Sequence, residues 1–267
     1  MTNSLVIPCH SQGTNIKSIA PLDSSGRLLL TDIGISAAVI PSQTKSVHML
    51  ILNRIYTGIA LENKNGGLEF YSHQLVSDLS SLNVSVRNNS AERQQQSFLR
   101  SVKTMRRATR KAYKESLKNG AVTKEEVLPV EEQFTIPVPQ TITFNEPGIS
   151  FFPCQRGLRS AACCFFSSLI DYLSYSTLLN QGNSLGLPVK CDCIVVNNVR
   201  NFPDALLDCE EYQRIYCLLP NTDAGRVMAC TIRHRNKGRY ADISRLYSNY
   251  EDLHDFMTNR KQQDIYE

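Results

Sequence analysis

Nine basic side chains fall between Glu92 and Lys118, and their spacing constrains the fold of this chain more than any other feature. Arg100, Lys103, Arg107, Arg110, Lys114 and Lys118 lie three or four positions apart, so on an α-helix they form one continuous stripe. Phe98, Leu99, Val102, Met105, Ala108, Ala112, Tyr113 and Leu117 recur near the same period and supply an apolar face. Asn89, with Glu92 three residues on, makes a capping-box start, and Asn119-Gly120 a C-terminal stop. A basic amphipathic helix over about 90–118 is the prediction.

Only Glu92 and Glu115 oppose those cations, a net of +7 where the whole chain carries +4, which leaves the remainder at −3. Like charges stacked along a helix cost about 0.2–0.5 kcal/mol per i,i+4 pair, and a polyanion relieves that repulsion. Each phosphate neutralised also releases counterions, giving salt-sensitive affinity with little dependence on base identity. Arginine's planar fork suits phosphate oxygens. The candidate nucleic-acid contacts are therefore Arg100, Lys103, Arg106, Arg107, Arg110, Lys111, Lys114 and Lys118. Two alternatives compete. The stripe is a solvated face neutralised by acids such as Glu125–Glu132, or Phe98, Leu99 and Met105 opposite the cations dock on an anionic membrane surface.

The sequence reads as α+β: a β-rich N-terminal part, the basic helix, and a mixed α/β C-terminal part. Apolar, β-branched runs at 27–33, 47–53, 55–61 and 68–72 predict strands, with Asn65-Gly66-Gly67 a hairpin turn between the last two. Repeated prolines and acids over 121–155 mark a connector, within which 133–144 reads as edge strands or an ordered linker. The division is thus 1–120, 121–155 and 156–267. Beyond the connector, a buried helix is expected over 160–179, strands at 191–196, 214–219 and 226–233, and a final polar helix over 243–261.

With 42% hydrophobic residues the chain can bury a core, and no apolar run approaches the length of a membrane span. Met1–His10 lacks a basic, then apolar, leader, so the expectation is a cytoplasmic, alternatively nuclear, protein that is not secreted. Its nine cysteines then read as reduced thiols. Cys191-Asp192-Cys193 has the wrong spacing for a zinc knuckle, the histidines are isolated, and no Walker loop, dinucleotide fingerprint or HExxH occurs. Neither metal nor cofactor is expected.

One segment points to chemistry. Gly157-Leu158-Arg159-Ser160-Ala161-Ala162-Cys163-Cys164-Phe165-Phe166 resembles the start of the central helix in papain-like cysteine peptidases. The resemblance implies a helix N-terminus lowering the thiol pKa, with Cys164 or Cys163 as nucleophile, His234 as base and Gln155 as oxyanion donor. It covers about a dozen residues, and Phe165 stands where that family has tryptophan. Gly238-Arg239-Tyr240 is similar to the Gly-His-Tyr of ubiquitin-specific peptidases, but arginine replaces the histidine. The alternative is that both cysteines are small core hydrophobes.

The leading expectation is a non-enzymatic protein that binds nucleic acid or a ribonucleoprotein, of the kind found among viral matrix, movement and accessory proteins. A homo-oligomer is compatible with it. A papain-like hydrolase and a peripheral membrane protein are the alternatives.

Overall fold

The computed structural model describes residues 5–7, 14–51, 54–83 and 141–260, apart from Arg156 and Val189. Met1–Ser81 and Val138–Glu267 form one unit, which holds all the described strands. The predicted basic helix at 90–118 lies outside the described residues.

Strands β1 (Leu5–Ile7), β2 (Thr14–Pro21), β3 (Lys45–Ile51), β4 (Arg54–Glu62), β5 (Leu68–Tyr71) and β6 (Ile142–Phe144) make a six-stranded sheet ordered β1-β6-β5-β4-β3-β2. All neighbours are antiparallel except β1 and β6. The two-residue period sends Val47, Met49, Ile51, Tyr56, Ala60, Phe70, Ile142 and Phe144 to one face, where Leu75 of helix α2 (His73–Asn83) joins them. Ile59, Leu61 and Tyr71 pack on the other. The expected hairpin is present, with β4 pairing β5 across a turn in which Gly66 has φ +81°.

Two expectations fail here. Residues 24–32 are helix α1 (Ser24–Asp32), not strand, because the Asp23 carboxylate accepts the Gly26 N–H (2.8 Å) and the Ser46 hydroxyl (2.7 Å), starting a helix beside β3. Leu30 and Ile33 then face inward while Leu28 is 61% exposed. Residues 142–144 form neither an edge strand nor a linker but β6, held between β1 and β5. The chain changes sheets just after, between Phe144 and Ser150.

The second sheet contains β7 (Ser150–Phe152), β8 (Ala162–Phe166), β9 (Asp192–Val195), β10 (Arg214–Leu218) and β11 (Tyr240–Asp242), ordered β11-β10-β8-β9-β7. Only β7 is antiparallel to its neighbour. Helices α3 (Leu169–Asn180), α4 (Phe202–Cys209) and α5 (Asp223–Arg235) supply the crossovers, and α6 (Leu253–Met257) follows the last strand. Tyr175 and Leu178 of α3 cover one sheet face with Cys164, Phe166 and Val195. Phe202 of α4 meets Phe165 edge-on at 6.2 Å on the other face. Leu169, Ile170 and Leu173 of α3 reach instead to Leu30, Ile59 and Leu61. Helix α3 is therefore apolar nearly all round, because it is packed between the two sheets.

The C-terminal expectations need three corrections. Residues 162–166 are a strand and the helix begins only at Leu169, after the Ser168 cap. All five strand residues are buried, as happens when both faces of a parallel strand are covered. Residues 226–233 are helix, because the Thr222 side chain accepts the Gly225 N–H and starts α5. The single helix expected over 243–261 is instead a short 3-10 turn (Ser244–Tyr247) and α6. No helix among the described residues is long and apolar enough to cross a membrane.

Candidate functional site

In a doubly wound sheet, ligands bind beyond the carboxyl ends of the parallel strands, where the strand order reverses. Here β8 leads to β9 on one side and the next crossover returns to β10 on the other, so the reversal lies between β8 and β10. Ser167 and Ser168 follow β8, and Asn221 and Thr222 follow β10. Beneath them sits Asp171, 1% exposed. Its Oδ2 accepts the hydroxyls of Ser168 (2.8 Å) and Ser167 (3.1 Å), while its Oδ1 accepts no hydrogen bond of good geometry. Burial first, then the Asp252 carboxylate, push Asp171 up to about 8.

The chain itself fills this crevice. Asn221 donates to the carbonyls of Tyr247 and Tyr250 (both 2.9 Å), and its backbone N–H donates to that of Glu251 (2.7 Å). Tyr247 donates to the Leu219 carbonyl (3.1 Å), and His254 Nδ1 lies 3.0 Å from the Ser174 hydroxyl. Asp252 caps α6 through the Asp255 N–H. The segment from Tyr247 to Asp255 is thereby fastened over the strand ends, with Asp171 sealed inside the fold. Among the described residues no three His, Cys, Asp or Glu side chains are placed to hold a metal ion.

Open grooves lie elsewhere. One of about 410 Å3 is lined by Phe151, Pro153, Leu158, Arg159, Lys64 and Asp208. Lys64 pairs with Asp208 at its rim (2.8 Å). Phe151 is 37% exposed there, whereas Phe152 turns inward and stacks on Tyr172 at 4.0 Å. The adjoining loop is tied down by Asp192, whose carboxylate accepts the N–H groups of Cys154 and Ser160 and the Tyr212 hydroxyl.

The papain-like arrangement is not formed at the cysteines. Cys163 and Cys164 lie inside β8 rather than at a helix N-terminus, and both are fully buried. Burial drives the Cys163 thiol far above its ordinary value. Contact with Cys191 lowers that of Cys164, but Cys193 and burial outweigh it. A thiol held this way supplies no thiolate nucleophile at neutral pH. Gln155 sits in an exposed loop bridged to Leu158, and His234 in the last turn of α5. Among the described residues, native alkylation followed by peptide mapping is expected to mark the exposed thiols of Cys230 and Cys154, and to leave Cys163, Cys164, Cys191, Cys193, Cys209 and Cys217 unmodified until the protein unfolds. Modification of Cys164 as fast as Cys230 would contradict this placement.

Every predicted phosphate contact from Arg100 to Lys118 lies outside the described residues. The described chain does fix where that segment departs and returns. It leaves after α2, which follows β5, and comes back through β6, the antiparallel neighbour of β5 (Leu68 opposite Phe144). A second concentration of positive charge escaped the sequence reading. Seven basic residues and two acidic ones lie between Arg214 and Arg245, over β10, α5 and β11. Reading 226–233 as a strand scattered them. The signal for a helix was present in Thr222 with Asp223 in the first turn.

Taken together, the fold defines an α+β protein in which an antiparallel-rich sheet and a doubly wound sheet share one buried helix. No family model matches the chain, and no curated protein does. Among solved structures it is similar to the primase fragment of the bacteriophage T7 primase-helicase protein, with a TM-score of 0.43 and 9% identity over 97% of this chain and 75% of that one. A likeness of that degree assigns no residue a role.

Proposed function

We propose that this protein binds nucleic acid, free or within a ribonucleoprotein, without catalysing a reaction, and that Arg100, Lys103, Arg106, Arg107, Arg110, Lys111, Lys114 and Lys118 carry the binding. One observation supports the reading above the rest: a net of +7 is gathered between Glu92 and Lys118 in a chain whose remainder is −3. Charge so segregated is repelled within its own segment and attracts a polyphosphate, with counterion release as the driving force. Phosphate contacts of this kind position a protein without reading sequence.

The test is the full-length protein against labelled single-stranded RNA and duplex DNA over a range of salt. Parent affinity should fall steeply with salt. Replacing Arg106, Arg107, Arg110 and Lys111 by glutamine should weaken binding by about 100-fold or more at low salt. It should also flatten the slope of log K against log salt by roughly 3, since each phosphate no longer neutralised removes about 0.7–0.9. An unchanged slope in this variant defeats the proposal. So does a parent that floats with anionic vesicles but ignores both nucleic acids.

A further inference from the structure

Helix α5 buries Ala224, Met228 and Ile232 against the sheet. The opposite side is exposed and carries Arg226 and Arg233, and Lys237 is exposed in the turn beyond. Positions 226 and 233 are seven residues apart, so they share one helical face. The left-handed residue Gly238 (φ +79°) then reverses the chain into β11. Arg214, at the exposed start of β10, donates to the Gly238 carbonyl (3.2 Å), which places its guanidinium at the same end of the unit.

Ordinary structural causes account for part of this charge. The helix dipole favours cations in the last turn, which suits Arg233 and Arg235, and Arg235 is paired with Glu210 at 2.7 Å. Arg239 is committed to the carbonyls of Glu210 and Tyr212. The dipole does not account for Arg226, which lies near the positive end of the helix. Its contact with Asp223 (3.3 Å) joins two exposed side chains, a pairing that salt readily screens. Nor does it account for Lys237 and Arg214, which lie beyond the helix.

We propose that Arg226 and Arg233 on α5, with Lys237 in the turn after it and Arg214 at the neighbouring Gly238, form a second phosphate-contacting surface for nucleic acid. The inference rests on the nucleic-acid reading above but uses residues independent of the 100–118 segment. Charge complementarity selects a polyphosphate. A membrane surface is disfavoured because an interfacial helix must offer apolar side chains beside its cations. The exposed large hydrophobics of the described fold are Ile19, Leu28, Ile55, Phe151, Leu158, Leu207 and Leu246, and none belongs to α5 or the turn after it.

The experiment compares three full-length proteins in the same salt titrations: the parent, the 106/107/110/111 glutamine variant, and Arg226→Gln/Arg233→Gln/Lys237→Gln. All three replaced side chains of the last variant are exposed, and circular dichroism on melting confirms its fold. Should it fail to fold, Lys237→Glu alone, outside the helix, takes its place. The triple variant should show a salt slope flatter by about 2, at about 0.7–0.9 for each phosphate left unneutralised, and a tenfold or greater rise in Kd at low salt. Arg226→Lys/Arg233→Lys should keep the parent slope, because the point charges remain.

Parent-like affinity and slope in the triple variant overturn this surface, even if the 106/107/110/111 variant loses binding and upholds the first reading. Loss in the triple variant with retention in the other upholds this surface and overturns the first. A parent that binds no nucleic acid overturns both. Capture of the parent by anionic vesicles, or displacement of RNA from it by polyglutamate at equal charge concentration, overturns the choice of phosphate as partner.

Discussion

Between pH 4.5 and about 7.5 the unfolding free energy of the parent should fall by about 3 kcal/mol through Glu69 alone, and Glu69→Gln should remove that fall. Glu69 lies in β5 with no exposed surface, where its carboxylate accepts from the Asn63 amide (2.9 Å) and the Thr143 hydroxyl (2.8 Å). Burial raises it from 4.5 to about 7, and those two hydrogen bonds offset only part of the rise. The native state therefore holds a proton that the unfolded chain releases above pH 4.5. Stability drops as pH climbs through that window and levels off once the native carboxyl has also ionised. A tenfold change in proton affinity is worth about 1.4 kcal/mol, which sets the size of the effect. Asp171, raised by burial and by Asp252, acts in the same direction up to about pH 8, so the variant keeps part of the slope. Urea unfolding at pH 5, 6, 7 and 8 measures this. The Gln variant should be more stable than the parent by about 3 kcal/mol at pH 8 and nearly equal to it at pH 5. Parallel profiles for the two proteins would show that Glu69 is ionised in the native fold at every pH tested.

Asn63→Ala should cost roughly 3–5 kcal/mol. The Asn63 amide donates to Glu69 and to the Glu146 carbonyl (both 2.9 Å). Its carbonyl oxygen accepts the N–H groups of Asn65 (3.0 Å) and Gly67 (2.9 Å). One side chain thus holds the β4–β5 turn, the buried acid and the loop that leads to the second sheet. Gly67 allows this because any Cβ there would fall on the Glu146 carbonyl oxygen. Alanine would leave two backbone N–H groups, a carbonyl and the buried Glu69 carboxyl short of the partner that Asn63 supplies. Thermal melting reads the loss. Asn63→Asp supplies the contrast, because it keeps the acceptors for Asn65 and Gly67 but sets a second acid beside Glu69. Its deficit should shrink below pH 5, whereas that of alanine should not. A change of less than 1 kcal/mol in the alanine variant would mean that the turn holds without the Asn63 side chain.

Parts of this fold were legible because local pattern and final environment agree. Residues 45–51 and 54–62 are rich in apolar and β-branched side chains, as suits strands packed on both faces, and Gly66 supplies the positive φ that a tight hairpin needs. The later strands at 192–195 and 214–218 were short, apolar and bounded by turn residues, and they form as expected. The candidate site was less legible. Thr222 and Asp23 are single-residue helix starts that competed with β-branched or leucine-rich runs, and the runs misled. The basic face of α5 was lost with its helix, since charges spaced by seven residues share a face at a period near 3.6 but not at a period of two.

The sequence by itself determined the α+β class, the central hairpin and the gathering of positive charge between Glu92 and Lys118, because periodicity, turn chemistry and charge are properties of neighbouring residues. Only the tertiary structure decided that Cys163 to Phe166 is a strand, that Glu69 and Asp171 are sealed from water, and that β6 lies inside a sheet. Each of these depends on atoms distant in the chain. Residues from α3 and α4 cover both faces of β8, Thr143 reaches back to Glu69, and β1 closes the outer side of β6. A short apolar run is compatible with helix or strand until such neighbours arrive to bury one face or two.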